Sequence, residues 1–205
     1  PLMATTLSET DVKKIMTPIL KAALRKSGIQ WKFPRQLIYA TLRRQGLDVP
    51  YLWNLQLIFH IWAIMLHGSR ETPSGTMICG TMENLVMELG SSQSFWNLDP
   101  KLWGILATPS WIKSTWEDIF KTTLRLKGPL PTIPLLRQHD QLLMDIFVAH
   151  GFDADTLRTL NHIRIHLHIF RLSDMVSADG TSITKSVWEC NRPKDQRSPY
   201  SWPRT

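Results

Sequence analysis

Residues 7–28 read LSETDVKKIMTPILKAALRKSG, and their pattern predicts an amphipathic helix. Ser8 followed by Asp11 three residues later is a start signal of the capping-box type, and Gly28 is a stop signal. Between them, apolar residues recur at the i, i+3, i+4 spacing of one helical face: Val12, Ile15, Met16, Ile19, Leu20, Ala23 and Leu24. We therefore expect a helix from Ser8 to Ser27 with one face in a core.

Pro18 interrupts this pattern and leaves two interpretations open. Proline inside a helix lacks an N–H donor and clashes with the preceding turn, so Pro18 predicts a kink in one helix. In the second interpretation, Thr17 caps a new helix and Pro18 takes its first position, where proline is favoured.

Positive charge is concentrated in the first third of the chain. Residues 1–70 hold ten Lys/Arg against three Asp/Glu, a net +7 that equals the formal charge of all 205 residues. We expect Lys13, Lys14, Lys21 and Arg25 on the helix face opposite the apolar one. Such a basic surface predicts a polyanionic partner, above all nucleic acid. The alternative is a solvated lysine-rich surface with no partner.

Proline and glycine divide the residues that follow. We expect a short helix from Pro34 to Thr41, a tight turn at Gln45-Gly46 and a long apolar helix that begins at Asp48 to Pro50 and ends at Gly68. Aromatic and aliphatic side chains cover most of the circumference of this long helix. It should therefore be buried on several sides.

The rest of the chain predicts further short helices. Their start signals are Thr72-Pro73, Asp99-Pro100, Thr108-Pro109, Asp140, and Asp153 or Asp155. The tryptophans at 103, 111 and 116 favour core packing over a stacking platform for single strands, because residues 71–155 are net acidic. Residues 124–134 read as a linker and residues 181–188 as a short strand.

The predicted fold class is mainly α, a multi-helix bundle that allows a short two-stranded element near the C-terminus. We predict four regions: a basic helical region 1–68, a Trp-rich helical region 69–127, a C-terminal helical region 128–188 and a disordered tail 189–205.

Catalytic and metal-binding patterns are missing from the sequence. His162 and His166 share a helix face, but Ile163 stands where a zinc protease needs its Glu, and His168 adds no motif. A nucleophile elbow, a glycine-rich phosphate loop and an adjacent Asp-Asp pair are also missing. We therefore expect no enzyme activity from this chain by itself, and no cofactor, metal or small-molecule substrate.

Two features bear on location. Cys79 and Cys190 are far apart and lack metal-ligand spacing, which fits a reducing compartment such as cytoplasm or nucleus. The longest apolar stretch, Leu55 to Leu66, is shorter than the roughly 20 residues of a bilayer span, so we expect no membrane partner. The first residue, Pro1, suggests a fragment or a processed product.

Several phrases of the basic third share their order of residues with a known family. They are Leu7-Ser8-Glu9, Ile15-Met16-Thr17-Pro18, Ala23-Leu24, Gly28-Ile29, Phe33-Pro34-Arg35-Gln36-Leu37-Ile38-Tyr39 and Gln45-Gly46-Leu47-Asp48-Val49-Pro50-Tyr51-Leu52. This order resembles the thumb and post-catalytic region of LINE-like (non-LTR) retroelement reverse transcriptases of protists and fungi. In that family a Gly-Gly-Leu-Gly-type turn precedes a long helix. Here Gln45 replaces the first glycine and Asp48 the last.

Later phrases are similar to segments downstream of the polymerase in the same elements. They are Trp111-Ile112-Lys113, Trp116, Leu143-Met144-Asp145, Leu160-Asn161-His162-Ile163-Arg164-Ile165-His166-Leu167, Leu172-Ser173-Asp174 and Asp179-Gly180-Thr181. The family usually carries a Cys-Arg pair where Ile163-Arg164 stands. With the earlier phrases, the resemblance runs from Leu7 to Thr181 with gaps.

The resemblance implies a piece of a mobile-element polyprotein whose partners are RNA or an RNA–DNA duplex and the remainder of the parent polymerase. Its thumb would grip the template–primer backbone. Charge and position then make nine residues candidate phosphate contacts: Lys13, Lys14, Lys21, Arg25, Lys26, Lys32, Arg35, Arg43 and Arg44. The alternative function is a helical protein-interaction or scaffold module without nucleic-acid binding.

Overall fold

The chain is mainly helical, as the sequence predicts. The computed structural model describes residues 6–68, 70–122, 124–126 and 131–184. The α-helices in this part are α1 Glu9–Lys26, α2 Arg35–Tyr39, α3 Leu52–His67, α4 Pro73–Leu89, α5 Pro100–Trp103, α6 Trp111–Phe120, α7 Leu143–Ala149 and α8 Ala154–His166. One-turn 3-10 helices lie at Leu42–Arg44, Phe95–Asn97, Gly104–Leu106 and Leu172–Asp174.

The chain divides into two compact units, unit 1 (Pro1–Gly75) and unit 2 (Thr76–Thr205). The boundary falls inside the first turn of α4. The four-region division predicted from the sequence stays a prediction. Its tail, 189–205, lies outside the described residues, as do 127–130 of the predicted linker.

α1 is one continuous helix that contains Pro18, so the interpretation with a second helix capped by Thr17 is wrong. Ser8 caps the helix, as expected, by accepting a hydrogen bond from the Asp11 N–H at 3.2 Å. Thr17 instead donates its hydroxyl to the carbonyl of Lys13 at 2.6 Å. The buried face of α1 packs on Ile38 of α2 and forms the core of unit 1: Val12, Met16, Leu20 and Leu24.

α3 departs from the expectation that it is buried on several sides. Its buried residues, Gln56, Leu57, His60, Ala63 and Ile64, form one face. Apolar side chains of other faces are exposed, among them Ile58, Trp62 at 50% and Met65 at 67%. The pattern of residues alone could not separate a helix surrounded by protein from one with an exposed apolar face.

Unit 2 packs the side chains of several tryptophans into a core, as expected, although Phe120 and Phe152 are exposed. Trp116 is 0% exposed, and its ring meets the Phe95 ring edge-on with centroids 6.1 Å apart. Trp103 is also buried, and Trp111 is half-buried. The buried indole N–H of Trp116 donates to the Leu98 carbonyl at 3.3 Å. Core packing thus accounts for Trp103 and Trp116, and neither offers a free ring face to bases.

Two helices of unit 2 begin later than predicted. α6 starts at Trp111 with Ser110 as its cap, because Thr108 donates its N–H and hydroxyl to the Glu88 carboxylate at 2.7 and 2.6 Å. α7 starts at Leu143, because Asp140 accepts hydrogen bonds from Ser173 instead of capping a helix. The side chains of both expected caps form hydrogen bonds with residues that are distant in sequence instead.

The start of α8 resolves an alternative that the sequence left open. Asp153, not Asp155, is the N-cap, and its carboxylate accepts from the N–H groups of Asp155 and Thr156.

Near the C-terminus, the expected two-stranded element appears as an isolated antiparallel bridge between Val176 and Ile183, and no strand forms in the described part. Residues 185–188 of the predicted strand lie outside that part, as does Cys190.

Candidate nucleic-acid interface

The first group of candidate cations lies on the outward face of α1. Lys14, Lys21 and Arg25 are separated by seven and four residues, spacings that return to the same side of a helix. Because Met16 and Leu20 fix the opposite side in the core, the three cations project into solvent, where all are exposed. We call this set the α1 stripe.

Ion pairs within α1 neutralise part of its charge. Lys13 contacts Glu9 at 2.9 Å, and Lys14 lies 3.9 Å from Asp11. The Ser8 hydroxyl, more than Lys14, lowers the pKa of Asp11. In the described part of the chain, Lys21 and Arg25 have no ion pair. Exposed pairs contribute at most about 1 kcal/mol, so a phosphate can replace the carboxylate partner of Lys14.

Lys13 lies elsewhere than predicted. The sequence places it on the face opposite the core, but it lines a cleft together with Met16 and Leu20 of the core face. Its position on α1, three residues before Met16 and seven before Leu20, puts it at the edge of the buried face. Lys13 is therefore not part of the α1 stripe.

Arg43 and Arg44 lie on the 3-10 helix Leu42–Arg44, in a turn held by backbone hydrogen bonds. The N–H groups of Leu47, Asp48 and Val49 donate to the carbonyls of Leu37, Ala40 and Ile38 at 2.9, 2.9 and 3.0 Å. Both arginines are exposed. The turn thus presents two cations from a backbone that its own hydrogen bonds fix.

The same turn has a backbone suited to glycine. Gln45 and Asp48 both have a positive φ, 58° and 52°. Gly46 approaches Ala40 so closely that a Cβ would lie 2.0 Å from its carbonyl oxygen. Left-handed backbone and such close approach are the two conditions that favour glycine.

The remaining candidates lie between these elements. Lys26 ends α1, and Lys32 lies in the connection to α2; both are exposed. Arg35, the first residue of α2, is half-buried, and its guanidinium carbon lies 4.1 Å from the centre of the Trp31 ring. The structure therefore brings together Lys13 and Arg35 in the cleft and Lys14, Lys21 and Arg25 on the α1 stripe.

The cleft between α1, α2 and Tyr51 has a volume of about 400 Å³. We call it the α1–α2 cleft. Its lining is Lys13, Met16, Thr17, Leu20, Arg35, Gln36, Tyr39 and Tyr51. The two tyrosine rings lie 4.8 Å apart, centre to centre, at 46°. Burial, with the nearby Glu9 carboxylate, raises the pKa of Tyr51, so its hydroxyl keeps its proton at neutral pH.

Sequence reasoning missed the four polar residues that complete this cleft. Tyr39 and Tyr51 are twelve residues apart, and Thr17 and Gln36 belong to different helices. No local spacing links them. All four residues stand in phrases that carry the resemblance, but their place in those phrases says nothing of a shared cleft.

Histidines do not assemble a metal site in the described residues, where no group of three or more His, Cys, Asp or Glu could hold an ion. His162 and His166 are exposed on α8. Searched over the same part of the chain, none of the helices combines the length and the apolar character needed to cross a bilayer.

Comparisons with known proteins do not assign this chain to a family. No significant match was found among protein-family models, curated proteins or solved structures. A function for this chain therefore has to be proposed from its own residues and from the resemblance of their order to a known family.

Proposed function

We propose that this chain is a nucleic-acid-binding accessory part of a LINE-like reverse transcriptase, in which unit 1 grips the backbone of a template–primer duplex. It is not catalytic alone. The observation that carries the proposal is the α1 stripe, in which Lys14, Lys21 and Arg25 are held on one face of a helix whose other face is packed. Arg43 and Arg44 on the fixed turn add to it.

Cations on a packed helix suit a phosphate backbone. Lys14 and Arg25 are eleven residue steps apart, which at 1.5 Å rise per residue is about 16 Å along the helix axis. Successive phosphates of one strand lie several ångströms apart, so a helix of this length can follow more than one. Contacts to phosphate provide affinity without sequence choice and are weakened by salt.

The backbone of the turn supports the resemblance to that family. Gln45 and Asp48, which stand where the family has glycines, have the left-handed conformation that favours glycine. In unit 2, Arg164, which matches the arginine of the family's Cys-Arg pair, binds the end of α4. The positions of Gln45, Asp48 and Arg164 therefore each have a structural role here, although Gln45 and Asp48 are not glycine.

Fluorescence anisotropy with a labelled RNA–DNA duplex tests the proposal. We expect binding at low salt and a linear fall of log K with log salt. The triple variant Lys14→Gln, Lys21→Gln, Arg25→Gln should reduce the magnitude of the salt slope by about one for each lost phosphate contact. Scrambling the duplex sequence should leave the affinity unchanged.

A matched triple variant removes the same charge elsewhere. Lys101, Lys121 and Arg125 are exposed cations of unit 2. Replacing all three with Gln should leave the salt slope close to that of the unmodified chain. Equal losses in both triples would mean that net charge alone drives binding, and binding that ignores salt, or none at low salt, would contradict the proposal.

A protein-interaction module is the second candidate function, and one observation favours it. The exposed apolar side chains Ile58, Trp62 and Met65 lie on α3 at spacings of four and three residues, which place them on one side. Contiguous exposed apolar surface commonly marks an interaction site. Two results together would favour this second function over the first. The duplex would not bind at low salt, and sedimentation would show self-association that Trp62→Ser abolishes.

A further inference from the structure

Arg35, which lines the α1–α2 cleft, carries an unsatisfied hydrogen-bond donor. Nη1 of Arg35 is buried and has no hydrogen-bond partner in the described structure. Nor does Arg35 form an ion pair there. Buried polar groups are satisfied in the great majority of cases, and an exception calls for an explanation such as a missing ion or ligand.

Stacking fixes the orientation of this guanidinium. Arg35 lies over the Trp31 ring at 4.1 Å, an arrangement that favours the cation and restricts its rotation. Holding the planar group in place lowers the cost of ordering it when an anion binds. Arginine is the residue best suited to planar, two-point binding of phosphate oxygens.

Lys13 provides a second cation on the same lining. Its Nζ contacts Glu9 at 2.9 Å, and this contact raises the pKa of Lys13, so the ammonium is charged at neutral pH. Glu9 does not line the cleft. Once a phosphate displaces Glu9 from Lys13, Lys13 and Arg35 together match a group with nearly two negative charges, which a phosphate monoester carries and an internal phosphodiester does not.

Tyr39, Tyr51 and the apolar floor suit a planar ring next to that phosphate. Both tyrosines line the cleft together with the buried side chains of Met16 and Leu20. Aromatic side chains bind bases by stacking with little regard to sequence. A volume of about 400 Å³ lies in the range of small-molecule sites and is ample for one nucleotide.

We propose that the α1–α2 cleft binds a nucleotide that ends in a phosphate monoester, at the terminus of a nucleic-acid strand. This rests on the proposed function, because unit 1 must first hold a strand. A free mononucleotide has the same chemistry and is the other source of such a group. Lys13 and Arg35 hold the phosphate, and Tyr39 and Tyr51 contact the ring.

The experiment compares oligonucleotides of one sequence that end in a 5′-phosphate, a 3′-phosphate or hydroxyl groups. Anisotropy is measured with the full chain at fixed salt. We expect one phosphorylated form to bind about tenfold tighter than the hydroxyl form, the gain of a hydrogen bond to a charged group. Adenosine monophosphate and adenosine, as competitors, show whether the free nucleotide also occupies the cleft.

Variants separate the cleft from the α1 stripe. The phosphate preference is the affinity for a phosphorylated form divided by the affinity for the hydroxyl form. Arg35→Gln should reduce this ratio to one. Lys13→Gln should reduce it in part and leaves the stack of Arg35 on Trp31 in place. Glu9→Gln removes the competing carboxylate and should raise the preference. Lys21→Gln should weaken the phosphorylated and hydroxyl forms equally and leave the preference unchanged. Circular dichroism checks that each variant is folded.

The outcomes distinguish the two proposals. Equal affinity for all three oligonucleotides overturns the cleft proposal and leaves the proposed function standing. A preference that survives both Arg35→Gln and Lys13→Gln also overturns it. Competition by adenosine monophosphate without any preference for a phosphorylated end overturns the assignment to a strand terminus. No binding of any oligonucleotide at low salt overturns the proposed function itself.

Discussion

The guanidinium of Arg164 lies against Gly90, so closely that a Cβ on Gly90 would stand 2.5 Å from the guanidinium carbon. Nη2 of Arg164 donates to the carbonyls of Met87 and Glu88, each at 2.7 Å. Burial lowers the pKa of Arg164 to about 10, which still leaves it charged at neutral pH. A buried cation from α8 therefore satisfies the carbonyls at the end of α4, where the helix dipole favours positive charge.

Gly90→Ala should destabilise unit 2 strongly. Gly90 has φ +64°, where a side chain is strained, and the added methyl would displace the buried guanidinium. We expect the free energy of unfolding to fall by about 3 kcal/mol, since breaking a buried charged network is among the costly kinds of substitution. Urea unfolding of the full chain measures the change.

Gly80→Ala is the matched control inside α4, the helix that Gly90 follows. A Cβ on Gly80 would meet no atom within 4 Å, and its φ is not positive. Alanine is favoured over glycine inside a helix, so we expect stability to rise by about 0.5–1 kcal/mol. Equal effects at Gly80 and Gly90 would contradict the role given to Arg164.

Local signals in the sequence were enough to predict the caps that use neighbouring residues. Ser8, Asp99 and Asp153 each accept from an N–H two or three residues later, and each was predicted as a helix start. Prediction failed at Thr108 and Asp140, whose partners lie 20 and 33 residues away. A cap is predictable only while no distant group competes for its side chain.

The candidate site, too, is only partly predictable from local sequence patterns. The α1 stripe follows from helical spacing, because the apolar face fixes where Lys21 and Arg25 must point. Lys13 was misplaced because it lies at the border of that face. The α1–α2 cleft depends on the contact between Tyr39 and Tyr51. Tertiary packing brings these two residues together, and their spacing in the sequence does not predict the contact.

Substitutions in the turn should reveal its glycine-type backbone. Gln45→Gly relieves a left-handed conformation that costs an ordinary residue about 1–2 kcal/mol, against a loss of about 0.5–1 kcal/mol from glycine's flexibility. We expect a net gain of about 0.5 kcal/mol, and less for Asp48→Gly because Asp tolerates this conformation better. Thermal or urea unfolding followed by circular dichroism measures both.

Gly46→Ala is the opposing variant of the same turn. Its Cβ would lie 2.0 Å from the carbonyl oxygen of Ala40, a backbone atom that hydrogen bonds hold in place. The free energy of unfolding should fall by at least about 2 kcal/mol. A neutral result would mean that the turn is not packed as described.

Pro18→Ala should stabilise unit 1 without changing its charge. Pro18 is exposed inside α1 and cannot donate a hydrogen bond to the carbonyl one turn earlier. Alanine restores that bond and is favoured by up to about 3 kcal/mol in a helix interior. We expect a higher urea midpoint and the same salt slope of duplex binding, since the α1 stripe keeps its residues. An altered salt slope would mean that Pro18 sets the direction of the stripe.

Acid should weaken unit 2 through Asp140. Burial raises the pKa of this carboxyl, but hydrogen bonds from the Ser173 hydroxyl and N–H, with those from the backbone of Leu136 and Gln141, together outweigh burial and leave the pKa below its ordinary value of 3.8. A carboxylate with a lowered folded pKa adds stability above its unfolded pKa and loses it as pH falls through the folded one.

The stability difference between the unmodified chain and Asp140→Asn should therefore be constant near neutral pH and shrink below about pH 4, measured by urea midpoints across that range. Glu83→Gln is the control, because Glu83 is exposed and its side chain has no hydrogen bond or ion pair in the described part of the chain. A difference for Asp140→Asn that persists unchanged to pH 2 would mean that the contact with Ser173 does not depend on the ionised carboxylate.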